Sequence, residues 1–144
     1  MIKATTAPKP KDARLLVITY ALATILAGAT TLGLMKFEVV TPFLGSVFGL
    51  EGTGAQVLVL FIAFFHVFSL PFLIRLSLSP LARALSAVLV LLTSVFWMVF
   101  ALQLQPLSPL AIAGAALVMV WAAGSYMILD GPVAIRALVA KPKK

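Results

Sequence analysis

The chain has 144 residues, of which 62% are hydrophobic and only 10% charged, and its mean hydropathy is +1.16. Soluble domains carry about 25% charged residues, so a water-soluble core is excluded and the length leaves room for one membrane domain. Cysteine is absent, which removes disulfides, thiolate metal sites and the four-helix quinone-linked thiol oxidoreductases that need cysteine pairs. The formal charge of +7 is concentrated at the ends of apolar segments, a placement that points to membrane orientation and away from nucleic acid.

Residues 1–14 form a basic tail with Lys3, Lys9, Lys11 and Arg14. A helix needs about 20 apolar residues to cross a hydrocarbon core of about 30 Å. Four segments meet that length, at about residues 15–35, 55–74, 82–102 and 110–129. The predicted fold is all-α: a four-helix membrane bundle over residues 15–129, with both termini on one side and a second basic tail over residues 130–144. A basic head, the apolar run from Leu15 to Leu26 and the triplet Ala27-Gly28-Ala29 imitate a cleavable signal. Continuation of the run to Met35 favours an uncleaved span.

The first span carries Ala23, Thr24, Ala27, Gly28, Ala29 and Gly33; the fourth carries Ala111, Gly114, Ala115, Ala122, Ala123 and Gly124. Helices in lipid associate through small residues, so these two are expected to pack tightly, with each other as one arrangement. Between the first two spans, Thr41-Pro42 predicts a short interfacial helix from Pro42 to Phe48, ended by Glu51-Gly52-Thr53-Gly54. In the second span Phe61, Phe64, Phe65, Phe68 and Phe72 recur every three or four residues and form one stripe. His66 falls roughly 140° from that stripe at about 100° per residue, so it is expected to face the bundle interior. Ser79-Pro80 and Ser108-Pro109 each place a hydroxyl cap before a proline and open the third and fourth spans. Arg83, in the first turn of the third span, is expected to snorkel to the interface. The segment Gly131–Ala140 is expected to lie along the inner leaflet ahead of Lys141, Lys143 and Lys144.

Ten of the eleven basic residues fall on one side of these spans, and Lys36 alone falls on the other. The positive-inside rule makes the side of the ten cytoplasmic, so the predicted location is the inner membrane of a bacterial cell with both termini inside.

His66 is the only histidine and the only ionisable side chain deep in a span, which makes it the leading candidate for ligand binding or proton relay. Away from water the imidazole is expected to be neutral. Thr24, Thr93 and Trp121 lie at similar depth and are the expected hydrogen-bond partners; the alternative role is a structural one that holds helices together. No second histidine, cysteine or carboxylate accompanies His66 in the spans, so neither a metal nor another cofactor is expected. Lys36, Glu38 and Glu51 are external-loop candidates for a cation or a partner protein, and otherwise keep that loop hydrated. Trp97, with Phe96 and Phe100, reads as an interfacial anchor or as the lining of a hydrophobic ligand site. Gln103 and Gln105 read as boundary residues.

The spans hold no acidic residue for a proton antiporter, no polar rings for an ion pore and no phosphate-binding loop or paired carboxylates. A lone histidine beside hydroxyls argues against an enzyme. A small-residue first span closing on Met35-Lys36-Phe37-Glu38, a proline-containing loop and the four-span order over residues 15–129 resemble the DoxX/MauE-like group of small bacterial membrane proteins. The acidic residue which that group carries near the start of its second span is met here only by Glu51, and the MauE-type cysteine motifs are absent. Members of that group are mostly uncharacterised or act as accessory subunits of redox or respiratory systems, so the resemblance leaves the activity open. Two functions are therefore expected. The first is a non-catalytic accessory or scaffold subunit that packs against other membrane subunits or a second copy. The alternative is a carrier of a small apolar molecule or quinone, with His66 facing an internal cavity.

Overall fold

The computed structural model describes residues 13–104 and 108–139. The tail lysines Lys3, Lys9, Lys11, Lys141, Lys143 and Lys144, as well as Gln105, lie outside the described residues. The described chain is all helical: α1 (Ala13–Met35), α2 (Phe37–Phe48), α3 (Thr53–Leu73), α4 (Pro80–Gln103), α5 (Pro109–Ile128) and α6 (Gly131–Val139). Four of these, α1, α3, α4 and α5, are long and apolar enough to cross a membrane, and each begins and ends within about two residues of its predicted span.

The distribution of polarity is the reverse of that in a soluble bundle. Only 22% of the most apolar window of α5 and 39% of that of α4 is buried. Leu32, Leu60, Phe61, Leu85 and Val120 are exposed on the outside, while Thr19, His66, Ser69, Ser86, Thr93 and Ser125 are buried. Hydrocarbon accepts that outer surface at no cost. Most buried hydroxyls serve their own helix, as in Thr30 Oγ1 to Leu26 O and Ser94 Oγ to Val90 O.

Ser86 is different. Its hydroxyl donates to the Phe68 carbonyl at 2.7 Å and accepts the Phe72 amide at 3.1 Å. A regular helix would pair these two groups with each other. They flank Pro71, which lies inside α3, lacks an amide and crowds the preceding turn. Ser86 on α4 thus completes the backbone bonding of α3 and sets the register of the two helices. The core beside this joint is formed by Leu22 and Leu26 of α1, Phe72 and Leu73 of α3, Val90 of α4 and Ala122 and Tyr126 of α5.

Ser79 and Ser108 cap their helices as predicted, accepting the amides of Ala82 and Ala111 with proline at the first position. Four expectations are corrected. Thr41-Pro42 does not open α2: the helix starts at Phe37, directly after a turn at Lys36, and Pro42 lies inside it. Likewise α3 takes in Thr53 and Gly54 and begins inside the expected breaker run.

The small residues of α1 and α5 do not make a close seam. A Cβ added at Gly28, Gly33, Gly114 or Gly124 would meet nothing within 4 Å. Instead α1 packs chiefly on α3, and α5 on α4. Gly45 makes the tight approach: a Cβ there would stand 2.5 Å from the Leu50 carbonyl and 3.0 Å from the Ala55 side chain. It holds α2 against the start of α3.

Arg83 does not snorkel outwards. It is 5% exposed, lies 5.0 Å above the Phe72 ring and donates to the Leu129 carbonyl at 3.1 Å. The open carbonyls at the C-terminal end of α5 attract the guanidinium, and Tyr126 packs on the same ring of Phe72. This cover also takes Phe72 off the exposed phenylalanine stripe. Asp130, at φ 58°, turns the chain into α6, and α6 packs on α4 and α5 with Ala134 buried.

Ser86→Ala should remove the bonds from α4 to the Phe68 and Phe72 backbone groups and lower stability by about 1–2 kcal/mol. Ser94→Ala, which removes only a bond within its own helix, should cost less. Thermal denaturation of both variants in mild detergent checks this; equal losses would contradict the role given to Ser86.

Candidate functional site

The site lies where α1, α2, α3 and α4 meet, away from the end of the bundle that carries Arg83. It is a cavity of about 430 Å³. Its walls are Ala29, Thr30 and Gly33 of α1, Val40, Phe43 and Leu44 of α2, Val59, Ile62, Ala63 and His66 of α3, and Phe96, Trp97 and Phe100 of α4. Its exposed lining residues, Leu32, Leu34, Lys36 and Phe43, mark the open side.

Aromatic packing holds the α2 wall in place. Phe48 lies 6.0 Å from Phe96 and 6.3 Å from Phe100, with near-parallel rings, and Phe43 meets Phe100 edge-on at 6.4 Å. Such contacts contribute about 0.5–1.5 kcal/mol each beyond area burial. Phe96, Trp97 and Phe100 therefore line the cavity, the second of the two roles given above, and the Phe96 and Phe100 rings clamp α2.

His66 is 2% exposed and faces inwards, as its position opposite the phenylalanine stripe predicts. The expected partners of its ring are corrected. Thr24 is exposed and returns its hydroxyl to the Tyr20 carbonyl. Thr93 is buried, and its hydroxyl has no partner among the described residues. Trp121 packs against the core cluster and does not reach His66. The partner is Trp97, whose indole Nε1–H donates to His66 Nε2 at 3.2 Å. The ring planes differ by 1° with centroids 5.9 Å apart, so the two rings lie parallel while the indole donor reaches Nε2.

Depth counting misses this pair for a geometric reason. In the register set by Ser86, Trp97 lies about two turns farther than His66 towards the α2 end of the bundle. Side chains on a helix lean towards its N-terminus. In antiparallel helices that lean carries His66 outwards and Trp97 inwards, so the two meet between their Cα positions.

An indole nitrogen only donates. His66 Nε2 is therefore the unprotonated, accepting nitrogen, and in the neutral ring Nδ1 carries the hydrogen. Nδ1 is buried and has no hydrogen-bond partner among the described residues. Nε2 is thus held by a group that can give a hydrogen bond and accept none. Of the external-loop candidates, Lys36 borders the cavity. Glu38 lies on the exposed face of α2, and Glu51 lies in the turn before α3, beside a separate cleft with Thr41 and Gln56. Among the described residues no three His, Cys, Asp or Glu side chains are close enough to share a metal ion.

Comparison with protein-family models, curated proteins and solved structures finds no match for this chain.

Trp97→Phe keeps the ring but removes the donor. The His66 side chain should then lose its fixed tautomer, and the bundle about 1 kcal/mol of stability. Nitrogen NMR of histidine-labelled protein should show Nδ1–H with an accepting Nε2 in the parent and a tautomer mixture in the variant; identical spectra would refute the pairing.

Proposed function

We propose that this chain is a binding protein or carrier that holds a small, predominantly apolar molecule in the membrane, in the cavity beside His66. The observation that carries the reading is the cavity itself. Its volume falls within the roughly 300–1,000 Å³ of small-molecule sites, which are mostly apolar with a few placed polar groups. Its walls are aliphatic and aromatic, with one buried imidazole and one indole N–H among them. A quinone or a similar ring-and-chain molecule belongs to the class it suits. The reading is one of binding: among the described residues the hydrogen-bond partner of His66 is Trp97, which cannot take up a proton.

A second reading, the accessory or scaffold subunit, is supported by a different feature. Phe61, Phe64 and Phe68 form an exposed row on α3, and the Phe64 and Phe68 rings meet at 4.4 Å with a tilt of 34°. Under that reading the row meets another membrane subunit or a second copy. Kinship with the DoxX/MauE-like group stays within this proposal, resting on Lys36-Phe37 and the order of the spans. So does the orientation, in which the end with Arg14, Arg75, Arg83 and Arg136 faces the cytoplasm of a bacterial cell.

The binding reading is tested with a bromoalkane, which quenches a tryptophan on contact. In a Trp121→Phe background Trp97 is the sole reporter. Saturable quenching is expected, and Ala63→Phe or Ala29→Phe should abolish it by filling the cavity while leaving helicity unchanged. Quenching that survives both substitutions would sink the proposal. The orientation is tested in the cysteine-free chain with Thr53→Cys and Ser77→Cys. A membrane-impermeant maleimide added to intact cells should label the first and spare the second, and the opposite pattern would reverse the topology.

A further inference from the structure

Among the described basic residues, Lys36 lies at the opposite end of the helices from Arg14, Arg75, Arg83 and Arg136, and it borders the open side of an otherwise apolar cavity. It stands in the turn between α1 and α2, on the backbone that forms two of the cavity walls. The nearest carboxylate in sequence, Glu38, is two residues on, a spacing at which side chains on a helix do not face each other. The positive-inside bias gives no reason for a cation at this end.

Beyond Lys36 the lining becomes apolar at once, through Leu34, Gly33, Val40 and Phe43, and then reaches Phe96, Trp97 and His66. A single cation at the mouth of an apolar chamber matches one kind of molecule, with a negative head and a hydrocarbon body. The buried His66 ring, with Nδ1 unpartnered, gives the inner end of the chamber one polar atom and no charge to repel a chain.

Resting on the binding reading above, we propose that the ligand is a single-chain amphiphilic anion of the fatty-acid type. Its carboxylate pairs with the Lys36 ammonium at the mouth, and its chain fills the cavity as far as Trp97 and His66. The volume of about 430 Å³ suits one chain and leaves no room for the two chains of a phospholipid. The pairing is charge-assisted and partly shielded from water by the cavity walls, conditions under which such bonds are strongest.

The test uses full-length Trp121→Phe protein in lipid nanodiscs, with Trp97 as reporter. Three probes are titrated: a fatty acid brominated near its chain end, the methyl ester of the same acid, and a phosphatidylglycerol brominated on its chains. The acid should quench Trp97 at about tenfold lower concentration than the ester, a difference of the size expected for one charge-assisted pair. Lys36→Gln should remove the difference, and Lys36→Arg should keep it. Equal quenching by acid and ester, or a preference that persists in Lys36→Gln, would overturn the anionic head while leaving the apolar cavity in place. Saturable quenching by the phosphatidylglycerol alone would overturn the single-chain assignment. If no probe quenches in a manner sensitive to Ala63→Phe, the binding reading itself fails together with this one.

Discussion

A backbone amide or carbonyl left unpaired in hydrocarbon costs several kcal/mol, and this fold depends on how that constraint is met at Pro71. The proline takes one amide out of the last turn of α3, and Ser86 of the neighbouring helix bonds the groups on either side of it. One hydroxyl thus joins α3 to α4 at a defined height. The buried cluster of Phe72, Leu73, Val90 and Tyr126 packs around that joint, and the meeting of His66 with Trp97 follows from the same register.

The bundle is dense at one end and open at the other. Near Pro71 the Arg83 side chain, Tyr126 and α6 close over the ends of α3, α4 and α5. At the far end no such lid exists among the described helices, and α2 folds back to serve as a side wall, held by Gly45 against α3 and by Phe43 and Phe48 against α4. The cavity is the space between a short helix and three long ones whose packing is complete only lower down.

How far the chain could be read in advance follows the range of each force. Hydropathy and helix length are local, so the four spans were legible to within about two residues, as were the Ser79 and Ser108 caps. The inward side of His66 was legible from helical periodicity alone. Contacts between helices were not. Trp97 escapes a depth measured along helix axes, which leaves out the lean of side chains that brings antiparallel residues together. Arg83 read as a boundary cation because the Leu129 carbonyl that draws it in arrives from 46 residues away. The glycines of α1 and α5 suggested a seam, yet composition does not say which face meets which neighbour, and the close approach fell to Gly45. The start of α2 was placed at its proline, although a proline is also tolerated within a helix whose other contacts hold it.

The bond between Trp97 and His66 has a consequence for how the ring can exchange hydrogen. An imidazole in hydrocarbon is a weak point in electrical insulation, because a ring that gains a hydrogen on one nitrogen and loses one from the other would pass current. Here one of the two nitrogens is stoppered by a group that gives a hydrogen bond and accepts none. The ring contributes polarity to the interior with its Nε2 held by a donor and its Nδ1 without a partner among the described residues.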